Sequence, residues 1–228
     1  MNLRDDIRYY EVTSALPTEL MKTAREYKAL AILKYSFPER FSKLYKSEAP
    51  DLQESDGSLA VEVTWGGSQR DEQISGESLK YSHAMTKAEK ERILQKIRKI
   101  GGNRDEISTS YPVGTSEGDK KNVIRAFKKK LKKVDKYRQS FQRIGLAILM
   151  DIPLFLFDDP QWGKWLSDIN GDSFDFVALI HWSGVDLYDF KTGEYLNQRI
   201  SREDMDALKR LGRMAAEGII KDDDPVWE

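Results

Sequence analysis

Two carboxylates, Asp51 and Glu62, flank a turn signal in the stretch APDLQESDGSLAVEVTW, residues 49 to 65. Glu62 lies between Val61 and Val63 in a run that reads as a buried strand. A carboxylate in such a place is costly unless it is paired, hydrogen-bonded or bound to a metal. Asp56-Gly57 is a signal for a two-residue turn of the I′ type. In the register that pairs Ser55 with Ser58, Asp51 stands opposite Glu62, with Cβ atoms roughly 5 Å apart. Gln53, Ala60 and Thr64 share that face. Opposed like charges destabilise a sheet, and a divalent cation between them removes the penalty. Hard cations such as Mg²⁺ or Mn²⁺ take carboxylate oxygens, so the expected metal ligands are Asp51 and Glu62. Two plainer readings stand beside this one. Asp51 is then an ordinary turn residue after Pro50, and Glu62 meets a lysine or lies on a solvated sheet face. A longer turn would also change the register.

The elements that must hold these groups alternate along the chain. PTELMKTAREYKALAILKYSF reads as a helix opened by Pro17, and TKAEKERILQKIRKI as one that stops at Gly101-Gly102. DKKNVIRAFKKKLKKVDKYRQSF reads as a single long helix that runs into the apolar strand GLAILM. DPQWGKWLSDI is a short helix and FDFVALIHW a strand. VDLYDFKTGEYLNQRI gives strands around Thr192-Gly193, and Ser201 caps a final helix. This order predicts an α/β fold with a mixed sheet flanked by helices: one domain over residues 1–228, with an inserted helical region at about 66–118. The strand at 145–150 should run parallel to the Glu62 strand, because a long helical connection separates them. The helix at 119–140 should cover one sheet face with Phe127, Leu131 and Val134 inward.

On a helical wheel, Lys130 falls inside the apolar arc, with Lys133 and Tyr137 at its edge. Arg125, Lys129, Lys132 and Lys136 take the opposite side. An inward lysine needs an anion or a snorkelling route along the core rim. Residues 120 to 143 hold eleven Lys or Arg against one acid, although the chain of 228 residues has a net charge of −1. That face is either simply solvated or makes salt-sensitive phosphate contacts with nucleic acid. The absence of cysteine excludes disulfides and thiolate metal sites and favours a cytoplasmic protein. The N-terminus is too polar for a signal peptide, and no apolar run is long enough for a membrane. His83 and His181, the only histidines, are too few for zinc. His181 beside Trp182 reads as a strand-end packing residue. No phosphate-binding glycine loop, serine nucleophile elbow or zinc-protease motif is present.

A helix with an inward acid, then Pro50-Asp51 heading one strand, then Glu62-Val63-Thr64 on the next, resembles the restriction-endonuclease-like nuclease superfamily. That superfamily carries Pro-Asp…Asp/Glu-x-Lys (PD-(D/E)XK); here threonine stands for the lysine. The form PDLQ…EVT, followed by a lysine-rich helix ending in tyrosine, also looks like bacterial and phage proteins assigned to this fold. The resemblance covers about residues 17 to 150. It implies a restriction-endonuclease-like core, Mg²⁺ bound by the two acids, and a lysine that positions or activates the attacking water. The implied function is Mg²⁺-dependent hydrolysis of phosphodiester bonds in DNA, with catalytic residues Asp51, Glu62, Lys130 and Glu26. Lys130 would replace the missing motif lysine. Glu26 would orient the metal or a basic residue, unless it is a solvated glutamate beside Arg25 and Lys22. Gln53 would support Asp51 from behind. Thr64 keeps open a catalytically silent nuclease fold that binds nucleic acid or a protein partner. A small structural or interaction protein is a third class. Nucleic acid, DNA first, is the expected partner; homo-oligomerisation stays open.

Overall fold

Strand and helix patterning both survive folding, in a computed structural model that describes residues 1, 3–12, 16–105, 109–110, 116–150 and 161–227. The chain forms two compact units, one from Met1–Gly66 with Val123–Glu228 and the other from Gly67–Asn122. Of the region expected as an insertion, 106–108 and 111–115 lie outside the described residues, as do Asp159 and Pro160 at the start of the expected short helix.

The first unit begins with α1 (Asp5–Arg8), then a 3₁₀ turn at Thr18–Leu20 leads into α2 (Met21–Ser36) and α3 (Pro38–Phe41). The strands β1 (Tyr45–Lys46), β2 (Leu52–Gln53) and β3 (Leu59–Trp65) follow. The second unit pairs α4 (Gln69–His83) with α5 (Lys87–Lys99) around Ile74, Tyr81, Ile93 and Ile97, beside a hairpin of β4 (Asn103–Arg104) and β5 (Thr109–Ser110). The chain continues through α6 (Ser116–Leu131), α7 (Val134–Tyr137), β6 (Arg143–Leu149) and α8 (Gln161–Asn170). It ends with β7 (Phe176–His181), β8 (Gly184–Asp189), β9 (Tyr195–Arg199), α9 (Arg202–Ala216) and a 3₁₀ turn at Pro225–Trp227.

Seven strands form one sheet in the order β1-β2-β3-β6-β7-β8-β9. The central β3, β6 and β7 are parallel and the outer pairings antiparallel, which makes the sheet mixed, as expected. Glu62 is in register with Leu146 of the parallel neighbour. Central parallel strands are covered on both faces, so β3 reads as a nearly unbroken apolar run. Leu59, Val61 and Val63 face a core shared with Leu30, Leu33, Leu208 and Leu211 of α2 and α9. On the other face, Val123, Phe127, Val134 and Tyr137 pack over Ile144, Leu146 and Ile148. Glu62 belongs to this second face by strand alternation. No helix among the described residues is long and apolar enough to cross a membrane.

Two readings from the sequence change. The hairpin turn is wider than two residues: Glu54 N–H donates to the Leu59 carbonyl at 2.9 Å, and only Gly57 (φ +73°) takes the left-handed region. A type I′ turn needs positive φ at both central residues, and Asp56 does not adopt it. The register is nevertheless the expected one, with Leu52 opposite Val61. The long helix expected through 119–140 stops at Leu131 and restarts at Val134, with Lys133 N–H bonded to the Lys130 carbonyl at 3.0 Å. Phe127 and Val134 are buried as expected, and Leu131 is half-buried at the joint. Within the inserted region read as helical, the polar segment after Trp65 forms α4: Ser68 caps it by accepting from Asp71 N–H at 3.0 Å, and Ile74 and Tyr81 anchor its one apolar line.

Candidate functional site

Glu62 is 1% exposed, so its charge must be answered nearby. Three side chains answer it. Lys130, in the last turn of α6, places its ammonium in hydrogen-bond contact with Glu62 Oε2. Lys133, at the joint, lies 3.2 and 3.3 Å from Oε1 and Oε2. The Tyr137 hydroxyl on α7 donates to Oε1. Burial and the adjacent Glu62 carboxylate push the Tyr137 phenol well above its ordinary value, which keeps it a proton donor. Glu62 is thus paired directly with lysines and a tyrosine.

Asp51 follows Pro50 and directly precedes β2. Its backbone carbonyl accepts from Ser47 N–H at 2.9 Å, and its carboxylate Oδ2 accepts from Val63 N–H at 2.8 Å. That bond spends a side-chain oxygen on a β3 backbone donor and fixes the carboxylate against the strand. Lys130 Nζ stands 3.5 Å from the same Oδ2, so one ammonium bridges Asp51 and Glu62. Lys22 Nζ faces Asp51 Oδ1 at 3.7 Å. Burial alone would raise the Asp51 carboxyl, but the Val63 N–H, Lys130 and Lys22 together hold it below its usual range.

Glu26 completes the group from α2. It is 4% exposed, which rules out the solvated alternative. Lys22, one turn earlier, lies 2.9 Å from Oε1, and Lys46 on β1 lies 3.5 Å from Oε2. Burial is the main reason that its carboxyl is raised, and the neighbouring Asp51 charge adds to the effect. Two adjacent acids held in opposite directions, Glu26 up and Asp51 down, share charge unequally.

Glu26, Asp51, Glu62 and Lys130 therefore converge, although the first and last lie more than a hundred residues apart in the chain. Gln53 does not join them; its amide donates to the Tyr45 hydroxyl on β1 at 2.6 Å. Thr64 is half-buried on the Glu62 face and offers a hydroxyl where the superfamily pattern has an amine. Lys46 has no sequence signal, because β1 is only two residues long. Lys22 has one, since it sits four residues before Glu26 on a helix.

The donor set is oxygen-only, which suits a hard cation such as Mg²⁺, and Asp51 also has the Lys22 ammonium and the Glu26 carboxyl beside it. Among the described residues, no group of three or more His, Cys, Asp or Glu side chains is arranged to hold a metal ion. A two-carboxylate site is still sufficient for Mg²⁺, which keeps several waters and takes substrate phosphate oxygens as further ligands.

Two other buried acids have partners outside this group. Asp175 accepts from both Arg138 nitrogens at 2.7 and 3.0 Å and from Ile144 N–H at 2.6 Å, with Lys191 2.8 Å away. Asp186 meets His181 at 3.4 Å and the Tyr195 hydroxyl at 2.8 Å; His181 ends β7 and is buried, as a strand-end packing residue should be. No protein-family model, curated protein or solved structure matches the chain, so the site stands on its geometry.

Proposed function

We propose that the chain is a Mg²⁺-dependent nuclease of the restriction-endonuclease-like type that hydrolyses phosphodiester bonds in DNA. One observation carries the reading. Lys130 arrives from a different element than the motif position and contacts both Asp51 and Glu62. An ammonium bridging the two acids is the charge arrangement that the Thr64 substitution removes from β3.

Asp51 and Glu62 would hold the cation, which when bound acidifies a water and neutralises phosphate charge. The chain's own residues supply the rest. The Val63 N–H keeps Asp51 ionised and oriented. Tyr137 fixes the rotation of the Glu62 carboxylate. Lys130 sets a positive charge beside the scissile phosphate, where developing negative charge is stabilised in a partly water-excluded site. Glu26, its carboxyl raised by burial, can hold a proton beside Asp51 at pH values where Asp51 is ionised.

The test is cleavage of plasmid and linear DNA in Mg²⁺ or Mn²⁺. Glu62→Gln keeps the shape and removes a ligand charge, so cleavage should fall to background. Cleavage that survives Glu62→Gln would place the chemistry elsewhere. A second reading, a silent nuclease fold that binds nucleic acid or a protein partner, is favoured by the pairing of both Glu62 oxygens with Lys130, Lys133 and Tyr137. It predicts salt-sensitive DNA binding and no cleavage with any divalent metal.

A further inference from the structure

We infer that Lys130 is a displaceable counter-ion, holding the position between Asp51 and Glu62 until a divalent cation drives it off. The inference rests on the nuclease reading above and adds the regulation of that site.

Glu62 has no acceptor capacity to spare. An ionised carboxylate offers about four lone-pair sites. Lys130 takes Oε2, Tyr137 takes Oε1, and Lys133 lies against both oxygens. A cation binding there must remove at least one of these partners. Tyr137 is 5% exposed and belongs to the core beneath the helix joint. Among the described ion pairs Lys133 meets Glu62 and not Asp51, with a side chain 51% exposed and screened by water. Lys130 alone of the three touches both acids, at 12% side-chain exposure.

Lys130 is also the group that a cation cannot tolerate. An ammonium has no lone pair and cannot become a ligand. A divalent ion held by the same two carboxylates would meet the Lys130 ammonium as a like charge at close range, where the repulsion is only weakly screened. The side chain has a route out. It projects from the last turn of α6, where the helix stops at Leu131 before restarting at Val134. Once displaced, a flexible four-carbon stem carries the charge to the nearest anion, and an arriving phosphate supplies one. Cation and phosphate binding are then coupled through one side chain, and the coupling is reciprocal.

The experiment measures Mn²⁺ binding to the full chain by calorimetry and by the electron-paramagnetic signal of free Mn²⁺. Lys130→Met removes the competing charge and should tighten Mn²⁺ binding by about tenfold or more. Lys130→Gln keeps a donor for Glu62 and should tighten binding likewise, which covers the case in which the methionine variant misfolds. Adding Glu62→Gln to either variant should abolish the gain. Equal or weaker Mn²⁺ binding in both Lys130 variants than in the wild type overturns the inference. Unchanged binding with DNA cleavage intact overturns the counter-ion role and leaves the nuclease standing. Tighter binding with no cleavage by the wild type supports the counter-ion role and overturns the nuclease.

Discussion

Glu62 and Asp175 are both about 1% exposed, yet their surroundings differ in kind. Asp175 is locked by a two-pronged arginine and a backbone N–H at the start of β6, a rigid set that ties the α7–β6 connection to β7. Glu62 is held by two flexible lysine stems and a phenol. Asp175 therefore reads as structural, and its removal should cost stability. Asp175→Asn leaves Arg138 without its anion and should destabilise by about 2–3 kcal/mol, measured by urea unfolding at neutral pH. The pH dependence follows from the direction of its shift. Burial would raise the carboxyl, but Arg138, Lys191 and the Ile144 N–H hold it below its ordinary value. Its stabilisation is therefore present above the unfolded value of about 4 and is lost as pH falls through the lower folded value. In Asp175→Asn the acid limb of the stability curve should flatten; an unchanged limb would show that Asp175 does not govern it.

Elements with strong periodicity were legible in the sequence, and those held by tertiary contacts were not. The Glu62 strand, its parallel neighbour and the Ser201-capped helix follow from apolar runs and a cap that the structure contains: Ser201 accepts from Asp204 N–H at 3.0 Å. The register of β2 on β3 was legible because turn signal and apolar pattern agree, even though the turn is longer. The break after Leu131 was hidden in a segment whose residues on either side of it, Lys128 to Lys133, are all good helix formers. The contacts of Glu26 with Lys46 depend on a two-residue strand that carries no pattern. The face of α2 that meets α9 was equally illegible, since residues 29–33 are buried all round the helix. Gly212 explains how closely the two helices approach: a Cβ there would lie 2.6 Å from Lys28 N and 2.8 Å from its Cα. Gly212→Ala sets two effects against each other. Helix propensity favours alanine by up to about 1 kcal/mol. Backbone of the facing helix cannot yield as a side chain can, and overpacking of this kind costs about 1–3 kcal/mol. The clash should win, lowering the thermal midpoint; because α2 carries Glu26, cleavage should fall with it. A raised midpoint would mean that the helices separate more easily than their packing implies.

Across the whole molecule, charge is the clearest asymmetry. The chain carries a net charge of −1, while residues 120 to 143 hold eleven Lys or Arg and a single acid. Folding divides that segment by direction. Lys130 turns inward and neutralises buried acids, while Arg125, Lys128, Lys129, Lys132 and Lys136 remain exposed. The exposed set spreads over α6, the joint at Lys132 and Lys133, and α7. A polyanion should therefore be drawn to this side of the first unit, with affinity that depends on released counter-ions. Each lysine that neutralises a phosphate contributes about 0.9 to the slope of log K against log salt. Replacing Lys129 and Lys132 together by alanine should reduce that slope by about 2 in a fluorescence-anisotropy titration with duplex DNA. These residues make no contact with Glu62 or Asp51 among the described ion pairs, so cleavage at saturating DNA should hold while the apparent affinity drops. Lys130→Met should lower the rate itself, and should reduce the slope by about 0.9, the share of the single phosphate contact that Lys130 makes. A salt slope indifferent to Lys129 and Lys132 would mean that DNA, if bound, lies across another face, and the lysine-rich helix would then be a solvated surface around one functional lysine.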